Sequence, residues 1–349
     1  MQTNRPDNSD RAWEWIRHFL EVYLPKHRGA SPHTCESYKM AFRLFRRFLQ
    51  ERNDRSTASL SLGELEAGLL LDYLEWLEGP EGANVSASTR NCRLAAWKSL
   101  FRYLELHCPL EHIEHWRRLR ELPFKKAAKP TTEYLEPFEV EAVFAAVSLQ
   151  APDGIRDATM LAFLYNTGAR ASEVADLRRS WLLLDDRPVV RIAGKGRRTR
   201  VCPLWTSTAS LLAKYLEEHR RHPKPGSEPY VFINQRRTRM TRHGVRRVVE
   251  KYVREAAAQN PSIKLKRLST HSFRHTTAIH LLETGAEVNV IKAWLGHSST
   301  RSTSRYLNLD LGRQRALLES FTSPPTLENW STDFPNEQQN DIKQWLEEL

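Results

Sequence analysis

Residues 271–310 have the sequence HSFRHTTAIHLLETGAEVNVIKAWLGHSSTRSTSRYLNLD, which concentrates side chains that can carry chemistry. The first part of this stretch, residues 272–284, is predicted to be a helix. His271 and Arg274 lie three residues apart, so at the start of that helix they share one face. His275 adds a second imidazole beside them. This spacing predicts a cationic group at one helix end.

A second helix is predicted over residues 288–295, because Gly296 suits the left-handed conformation that ends many helices. Such a turn would direct His297 back toward the first helix. Tyr306 follows nine residues later, after a loop rich in Ser, Thr and Arg. We therefore expect His297 and Tyr306 to lie close to the cationic group.

Two shorter motifs precede this stretch. Thr167-Gly168 is expected to end a helix, so that Arg170 opens the next helix and Glu173 lies one turn further on. Gly194-Lys195-Gly196 lies between two strand-like runs and predicts a β-hairpin. These runs are residues 188–192 and 198–203.

Length and composition restrict the class of protein. The chain has 349 residues, which suits about two domains, and its hydrophobic content of 40% is enough for packed cores. Its formal net charge of +11 favours a polyanionic partner, most often nucleic acid. The four cysteines are far apart, as in a reduced, cytoplasmic protein. A polar N-terminus and the lack of a long apolar run predict a soluble protein, which we expect to be associated with the nucleoid.

The pattern along the chain predicts four segments. Residues 1–122 are predicted to be an all-helical domain, 123–132 a basic linker, 133–320 a mainly helical domain with a small sheet, and 321–349 an acidic tail. In the first helical stretch, residues 11–52, Pro25 and the run 29–32 are expected to break the helix, with Ser31 as the next cap. The other predicted helices are residues 63–78, 89–107, 139–149, 157–167, 208–219 and 241–258.

The motifs, taken in chain order, resemble those of the tyrosine recombinase, or phage integrase, family and its Xer-like members. They are the Thr-Gly-x-Arg-x-x-Glu segment, the Gly-Lys-Gly hairpin, the His-x-x-Arg-His box, the Leu-Gly-His box and Tyr306. A single box is weak evidence, whereas five in the family's order and spacing are specific. They cover residues 131 to about 318, and the N-terminal bundle is similar to the family's core-binding domain only in length and helical pattern.

The resemblance implies a mainly α fold with a small β-sheet. An N-terminal, SAM-like core-binding domain and an α+β catalytic domain would form a C-shaped clamp around double-stranded DNA. The implied activity is site-specific recombination through a 3′-phosphotyrosine and a Holliday junction, without metal ion, ATP or other cofactor. The implied assembly is a homotetramer on two sites, a dimer per site, which a partner recombinase or an accessory DNA-bending protein could join.

The resemblance also implies a role for each residue. Tyr306 would be the nucleophile, Lys195 the general acid and His271 the general base. The whole catalytic set would be Arg170, Lys195, His271, Arg274, His297 and Tyr306, with Glu173 and His275 in support. Independently of the resemblance, the residue types suit phosphoryl transfer, because guanidinium groups bind the phosphate oxygens on which charge grows and stay ionised at any working pH.

Basic faces outside this set are predicted to contact DNA phosphates. The predicted contacts are Arg43, Arg46, Arg47, Arg90, Arg93, Lys98, Lys125, Lys126, Arg236, Arg237, Arg239, Arg242 and Arg246. The acidic tail would be repelled by DNA, so we expect it to dock on protein, either on its own chain or on a neighbouring subunit. Trp294 is expected to pack in the core rather than touch phosphate.

Two alternative functions fit part of the sequence. A type IB topoisomerase would use the same nucleophile, but the compact spacing between the Leu-Gly-His box and Tyr306 favours a recombinase. A helix-turn-helix regulator would explain the charge and the helices. It would leave the ordered Arg, Lys, His, Arg, His and Tyr set without a reason.

Overall fold

The computed structural model describes residues 10–52, 60–108, 113–127, 133–194, 199–296 and 317–332. The chain divides into two compact units, Met1–Pro130 and Thr131–Leu349. The first unit is helical, and the second combines helices with one small sheet. The structure is therefore mainly α with a small β-sheet, as predicted.

The first unit is a helical bundle around an aromatic core. Phe45, Tyr73 and Trp97 are fully buried, and the ring of Phe45 meets the other two edge to face at 5.2 Å and 4.7 Å between centroids. Such pairs add to the free energy gained by burial alone. The helices are α1 (Ala12–His18), which continues as a π-helix (Phe19–His27), α2 (Pro32–Glu51), α3 (Ala67–Glu78), α4 (Ala87–His107) and α5 (Ile113–Arg120).

The entry into α2 confirms one local prediction and corrects another. Ser31 accepts a hydrogen bond from a backbone N–H in the first turn, and Pro32 occupies that turn, as the capping pattern predicts. The predicted break at Pro25 is wrong, because the helix continues through it as a π-helix. The wider π turn moves the carbonyl that the proline ring would otherwise strike. The chain turns only at Gly29, whose φ of +60° suits glycine.

The second unit is built around helix α7, which is buried along its whole length except at Arg156. Its small sheet is antiparallel with strand order β1-β2-β3, and Ile192 on β2 lies opposite Arg200 on β3. The elements are α6 (Pro137–Ala145), α7 (Gly154–Thr167), α8 (Ala171–Ala175), a 3₁₀ turn (Arg179–Trp181), β1 (Leu182–Leu183), β2 (Val189–Ala193), β3 (Thr199–Pro203), α9 (Thr206–Lys214) with a π-helical extension (Tyr215–His219), α10 (Arg242–Ala257), α11 (Pro261–Lys264), α12 (Thr270–Glu283), α13 (Val288–Leu295) and α14 (Pro325–Thr332).

The described end of the chain, residues 317–332, belongs to the core of the second unit. Phe321, Leu327 and Trp330 are buried there, and the indole N–H of Trp205 donates to the backbone oxygen of Phe321 at 2.8 Å. The first part of the predicted acidic tail therefore docks on its own chain. Three apolar residues near the C-terminus, Ile342, Trp345 and Leu346, lie outside the described residues.

Across the described ranges, no helix combines the length and the apolar character that crossing a lipid bilayer requires.

Candidate functional site

The loop between α7 and α8 presents Arg170 at a helix start. Helix α7 ends at Gly168, whose φ of +58° is left-handed, as the sequence predicts for this position. Arg170 then caps α8, and its backbone N–H donates to Glu173 Oε2 at 3.0 Å. Its guanidinium Nη1 donates to Glu173 Oε1 at 2.8 Å. One buried carboxylate therefore fixes both the backbone and the side chain of Arg170, which is itself only half-buried.

Helix α12 brings the second arginine to the same place. Arg274 is 3% exposed, and its guanidinium donates to the backbone oxygens of Gly168 at 2.7 Å and Leu295 at 2.5 Å. These carbonyls lie at the C-terminal ends of α7 and α13, where the helix dipole favours a cation. Arg274 thus binds two helix ends together at the start of a third helix.

Helix α13 ends as the sequence predicts, at Gly296 with a left-handed φ of +65°. A Cβ at this glycine would lie 3.0 Å from Cδ of Arg200 on β3, so the helix end packs closely on the sheet. The next residue, His297, lies outside the described residues, as do Lys195 and Tyr306. Their predicted positions in the site therefore remain predictions.

His271 lies at the exposed start of α12, with His275 one turn further on, and their rings meet edge to face at 4.9 Å. Partial burial and the charges of Arg274 and Arg170 lower the pKa of His271 below its usual value of 6.5. Burial, together with His271 and Arg274, lowers the pKa of His275 as well. Both imidazoles are therefore neutral at pH 7, which is the form that can accept a proton.

Arg200 is a residue of this site that the sequence reasoning missed. It is 8% exposed, and its Nη2 donates to Glu173 Oε2 at 2.9 Å. The available signal was the alternation of β3, in which Arg200 and Cys202 are buried, Thr199 is exposed and Val201 is half-buried. A buried guanidinium has to be paired or hydrogen-bonded, and Glu173 supplies the partner of Arg200.

The charges of this site are unbalanced. The carboxylate of Glu173 pairs with Arg170 and Arg200, and the guanidinium of Arg274 is close enough to feel their charges, which leaves a formal charge of +2 among these four side chains. Burial alone would raise the pKa of Glu173, but Arg200 and Arg170 lower it below its usual value. Burial and repulsion from Arg170 and Arg200 lower the pKa of Arg274 to about 9. Arg274 is still charged at pH 7, and an anion bound here would relieve the repulsion.

Trp294 and His280 belong to the packing of the domain. Trp294 is fully buried, and its indole N–H donates to the backbone oxygen of Asn166 at 3.1 Å, which confirms its core role. His280 is buried on α12 and hydrogen-bonds the hydroxyl of Tyr165 at 2.7 Å. Both contacts fix the α7–α12–α13 arrangement that positions the arginines.

In the first unit, the predicted DNA contacts lie on α2, on α4 and in the segment after α5. Arg43, Arg46 and Arg47 are all exposed on α2, at helical spacing that gives them one face. The Arg93 guanidinium on α4 donates to the backbone oxygen of Ser37 at 3.0 Å, so the two helices are neighbours.

Arg90 differs from these arginines. It is 9% exposed, and it is held by Glu78 and by the backbone oxygen of Pro123. Lys98 lies over the ring of Phe124 at 4.6 Å, and Lys125 pairs with Glu78 at 3.1 Å. Lys126 is exposed. The first part of the predicted linker is therefore held against the first unit.

In the second unit, the predicted contacts cluster on a tight turn and at the start of α10. Asn234 Oδ1 accepts from the backbone N–H groups of Arg236 and Thr238, and Arg237 has a left-handed φ of +64°. This turn exposes two adjacent arginines on a constrained backbone. Arg239 pairs with Asp176 at 2.8 Å and lies over the ring of Tyr230. Arg242 and Arg246 are exposed on the first turns of α10.

Comparison with known proteins places this architecture among DNA recombinases. The model of the phage integrase family matches residues 133–313, and that of the phage integrase N-terminal SAM-like domain matches residues 16–107. The chain is 35% identical over 309 residues to a putative integrase/recombinase, y4rC, of Sinorhizobium fredii. The aligned region covers 88% of this chain and 91% of that protein. It is 31% identical over 306 residues to tyrosine recombinase XerC of Pelobacter propionicus, and this alignment covers 86% of this chain and 92% of that protein.

Solved structures share the fold. The XerH site-specific recombinase bound to difH substrate matches with a TM-score of 0.62 at 20% identity and covers 86% of this chain and 80% of that chain. A lambda integrase dimer bound to a COC′ core site matches with a TM-score of 0.59 at 15% identity and covers 83% and 96%. At these identities the likeness concerns the fold alone.

Proposed function

This chain belongs to the phage integrase family of tyrosine recombinases, and on that premise we propose that it recombines DNA at specific sites through a 3′-phosphotyrosine formed on Tyr306. The phenolic oxygen of Tyr306 attacks the scissile phosphorus while the bond from phosphorus to the 5′-oxygen breaks. The phenol proton goes to His271, and Lys195 gives a proton to the leaving 5′-oxygen. Attack by a 5′-hydroxyl of another strand reverses these steps and rejoins the DNA.

The observation that carries the proposal is the uncompensated charge around Arg170 and Arg274. In the transition state, negative charge grows on the non-bridging oxygens of the phosphate, and a preorganised pair of guanidiniums stabilises it without reorganisation. One such donor contributes about 3 kcal/mol, or roughly a hundredfold in rate. The phosphate thus supplies the anion that the cluster lacks.

Four further residues support Arg170 and Arg274 in this mechanism. Glu173 orients Arg170 by two hydrogen bonds and takes no part in proton transfer. The lowered pKa of His271 keeps its imidazole neutral, as a general base requires. His275 packs on that imidazole, and His297 donates to the phosphate beside the arginines.

The energetics suit strand exchange. The phosphotyrosine conserves the free energy of the broken phosphodiester, so rejoining requires neither ATP nor a metal ion. Two successive exchanges through a Holliday junction, in a tetramer on two DNA sites, complete recombination. A partner recombinase or an accessory bending protein can join that assembly, which acts at the nucleoid. The exposed arginines on α2, on the 234–238 turn and on α10 bind the flanking phosphates.

The test uses a nicked suicide duplex that carries the native recombination site. Wild-type protein should give a protein–DNA band that survives a denaturing gel, and Tyr306→Phe should bind the duplex and give no such band. Ser304→Ala, which removes a hydroxyl two residues away, is the matched control and should keep the band. A band from Tyr306→Phe would refute the assignment. Relaxation of a site-free plasmid by monomeric protein would instead favour a type IB topoisomerase.

A further inference from the structure

Arg200 connects three parts of the site. It lies on β3, which follows Lys195 by a few residues in the chain, and its Nη2 binds Glu173 at 2.9 Å. Its side chain also lies against the end of α13, since a Cβ on Gly296 would come within 3.2 Å of its Nη1. Arg200 therefore touches the residue that orients Arg170 and the turn that immediately precedes His297.

The exposure of Arg200 separates its role from that of Arg170. Its side chain is 9% exposed, whereas that of Arg170 is 38% exposed. A DNA phosphate can therefore reach Arg170, while Arg200 is enclosed by protein. Arg274 is as buried as Arg200, but it donates to neutral backbone carbonyls, whereas Arg200 pairs with the carboxylate of Glu173. We therefore expect Arg200 to act on cleavage through Glu173.

The negative charge of Glu173 explains why Arg200 matters for Arg170. A buried carboxylate that paired with Arg170 alone would neutralise the cation that has to bind phosphate. A second cation on the opposite oxygen of Glu173 leaves the trio with a formal charge of +1, so that Arg170 keeps its attraction for an anion. The same carboxylate can then fix Arg170 in place without cancelling its charge.

We propose that Arg200 is a positioning residue for DNA cleavage, which balances the charge of Glu173 so that Glu173 orients Arg170 without neutralising it. The inference rests on the proposed function, because it needs a phosphate at Arg170. It adds a residue that none of the recognised motifs includes.

The test compares single-turnover cleavage of the suicide duplex by four variants. Arg200→Met should slow covalent complex formation by about tenfold to a hundredfold, with DNA affinity changed by less than about threefold. Arg191→Met removes an exposed arginine from the adjacent strand and serves as the matched control, with cleavage at the wild-type rate. Glu173→Gln and the double variant Glu173→Gln/Arg200→Met complete the set.

The double variant distinguishes positioning from packing. If Arg200 acts through the charge of Glu173, the double variant should cleave at about the rate of Glu173→Gln alone. If Arg200 only supports the fold, its removal should slow the Glu173→Gln protein by the same factor as it slows wild type, which would overturn the inference. If Arg200→Met alone does not fold, the double variant, which leaves no unpaired buried charge at this pair, is compared with Glu173→Gln alone. Equal rates then support the inference, and slower cleavage by the double variant overturns it.

Two outcomes bear on different proposals. Wild-type cleavage with an equally fast Arg200→Met protein would refute the role of Arg200 and leave the proposed function standing. Failure of the wild-type protein itself to form the covalent complex would refute the proposed function.

Discussion

Alanine at Gly168 tests the packing that brings Arg170 and Arg274 together. Gly168 ends α7, and its backbone oxygen accepts a hydrogen bond from Arg274. A Cβ at this position would lie 2.4 Å from Cδ2 of Leu295, a residue that is 1% exposed and has little room to move. Gly285, at the end of α12, is the matched control, because its φ is +85° but a Cβ there would meet nothing within 4 Å.

The two substitutions share one cost and differ in another. Both place alanine in a left-handed conformation, which costs about 1 to 2 kcal/mol, and both restrict the unfolded chain, which returns about 0.4 to 1 kcal/mol. Only Gly168→Ala adds a clash in a packed core, which costs about 1 to 3 kcal/mol. We therefore expect Gly285→Ala to lower the free energy of unfolding by about 1 kcal/mol and Gly168→Ala to lower it by about 3 kcal/mol.

The assay is urea unfolding of the full chain, followed through the transition of the second unit, together with cleavage of the suicide duplex. Gly168→Ala should also slow cleavage, since any shift of the Gly168 carbonyl displaces Arg274. Equal destabilisation by the two substitutions would contradict the close approach of Leu295 on α13 to the end of α7.

Three further outcomes follow from the site. Arg274→Lys keeps the charge but cannot bridge two carbonyls as a planar guanidinium does. Single-turnover cleavage should therefore fall about a hundredfold while DNA binding persists. A fall in the cleavage rate of less than about threefold would contradict the fork geometry. Because the pKa of His271 is lowered below 6.5, the rate of cleavage at subsaturating DNA should decline only as the pH falls through that lowered value. His271→Gln should remove this decline at acid pH. A midpoint above 6.5 would contradict the effect of burial, Arg274 and Arg170 on this imidazole. Arg236→Gln and Arg237→Gln should each reduce the slope of log affinity against log salt by about 1, and unchanged slopes would exclude phosphate contacts at that turn.

Much of the local structure of the site follows from the sequence alone. Glycine is the residue that best tolerates a positive φ, so Gly168 and Gly296 marked the ends of α7 and α13, and both are left-handed. The sequence predicts Arg170 at the start of the next helix, and Arg170 caps α8. Hydrophobic spacing located α12 and α13 to within two residues, because their buried faces repeat at the helical period.

Tertiary contacts were beyond such reasoning. Arg200 is defined by its partner Glu173, which lies 27 residues away in the chain, and no local pattern specifies that pairing. Arg90 has the same helical spacing as exposed arginines, yet Glu78 and the backbone of Pro123 enclose it. Pro25 was expected to end a helix, but packing of Phe19 and Leu24 in the core sustains a π-helix across it. The three cases share one cause, which is that long-range packing overrides a local preference.

The assignment of Tyr306 as the nucleophile is tested most directly by locating the DNA on the protein. The covalent complex formed on the suicide duplex would be digested with nuclease and trypsin, and the peptide that carries the residual nucleotide would be sequenced by mass spectrometry. We predict a phosphate linkage at Tyr306, with the nucleotide attached through its 3′-oxygen. A nucleotide on another side chain, or one attached through its 5′-oxygen, would contradict the mechanism.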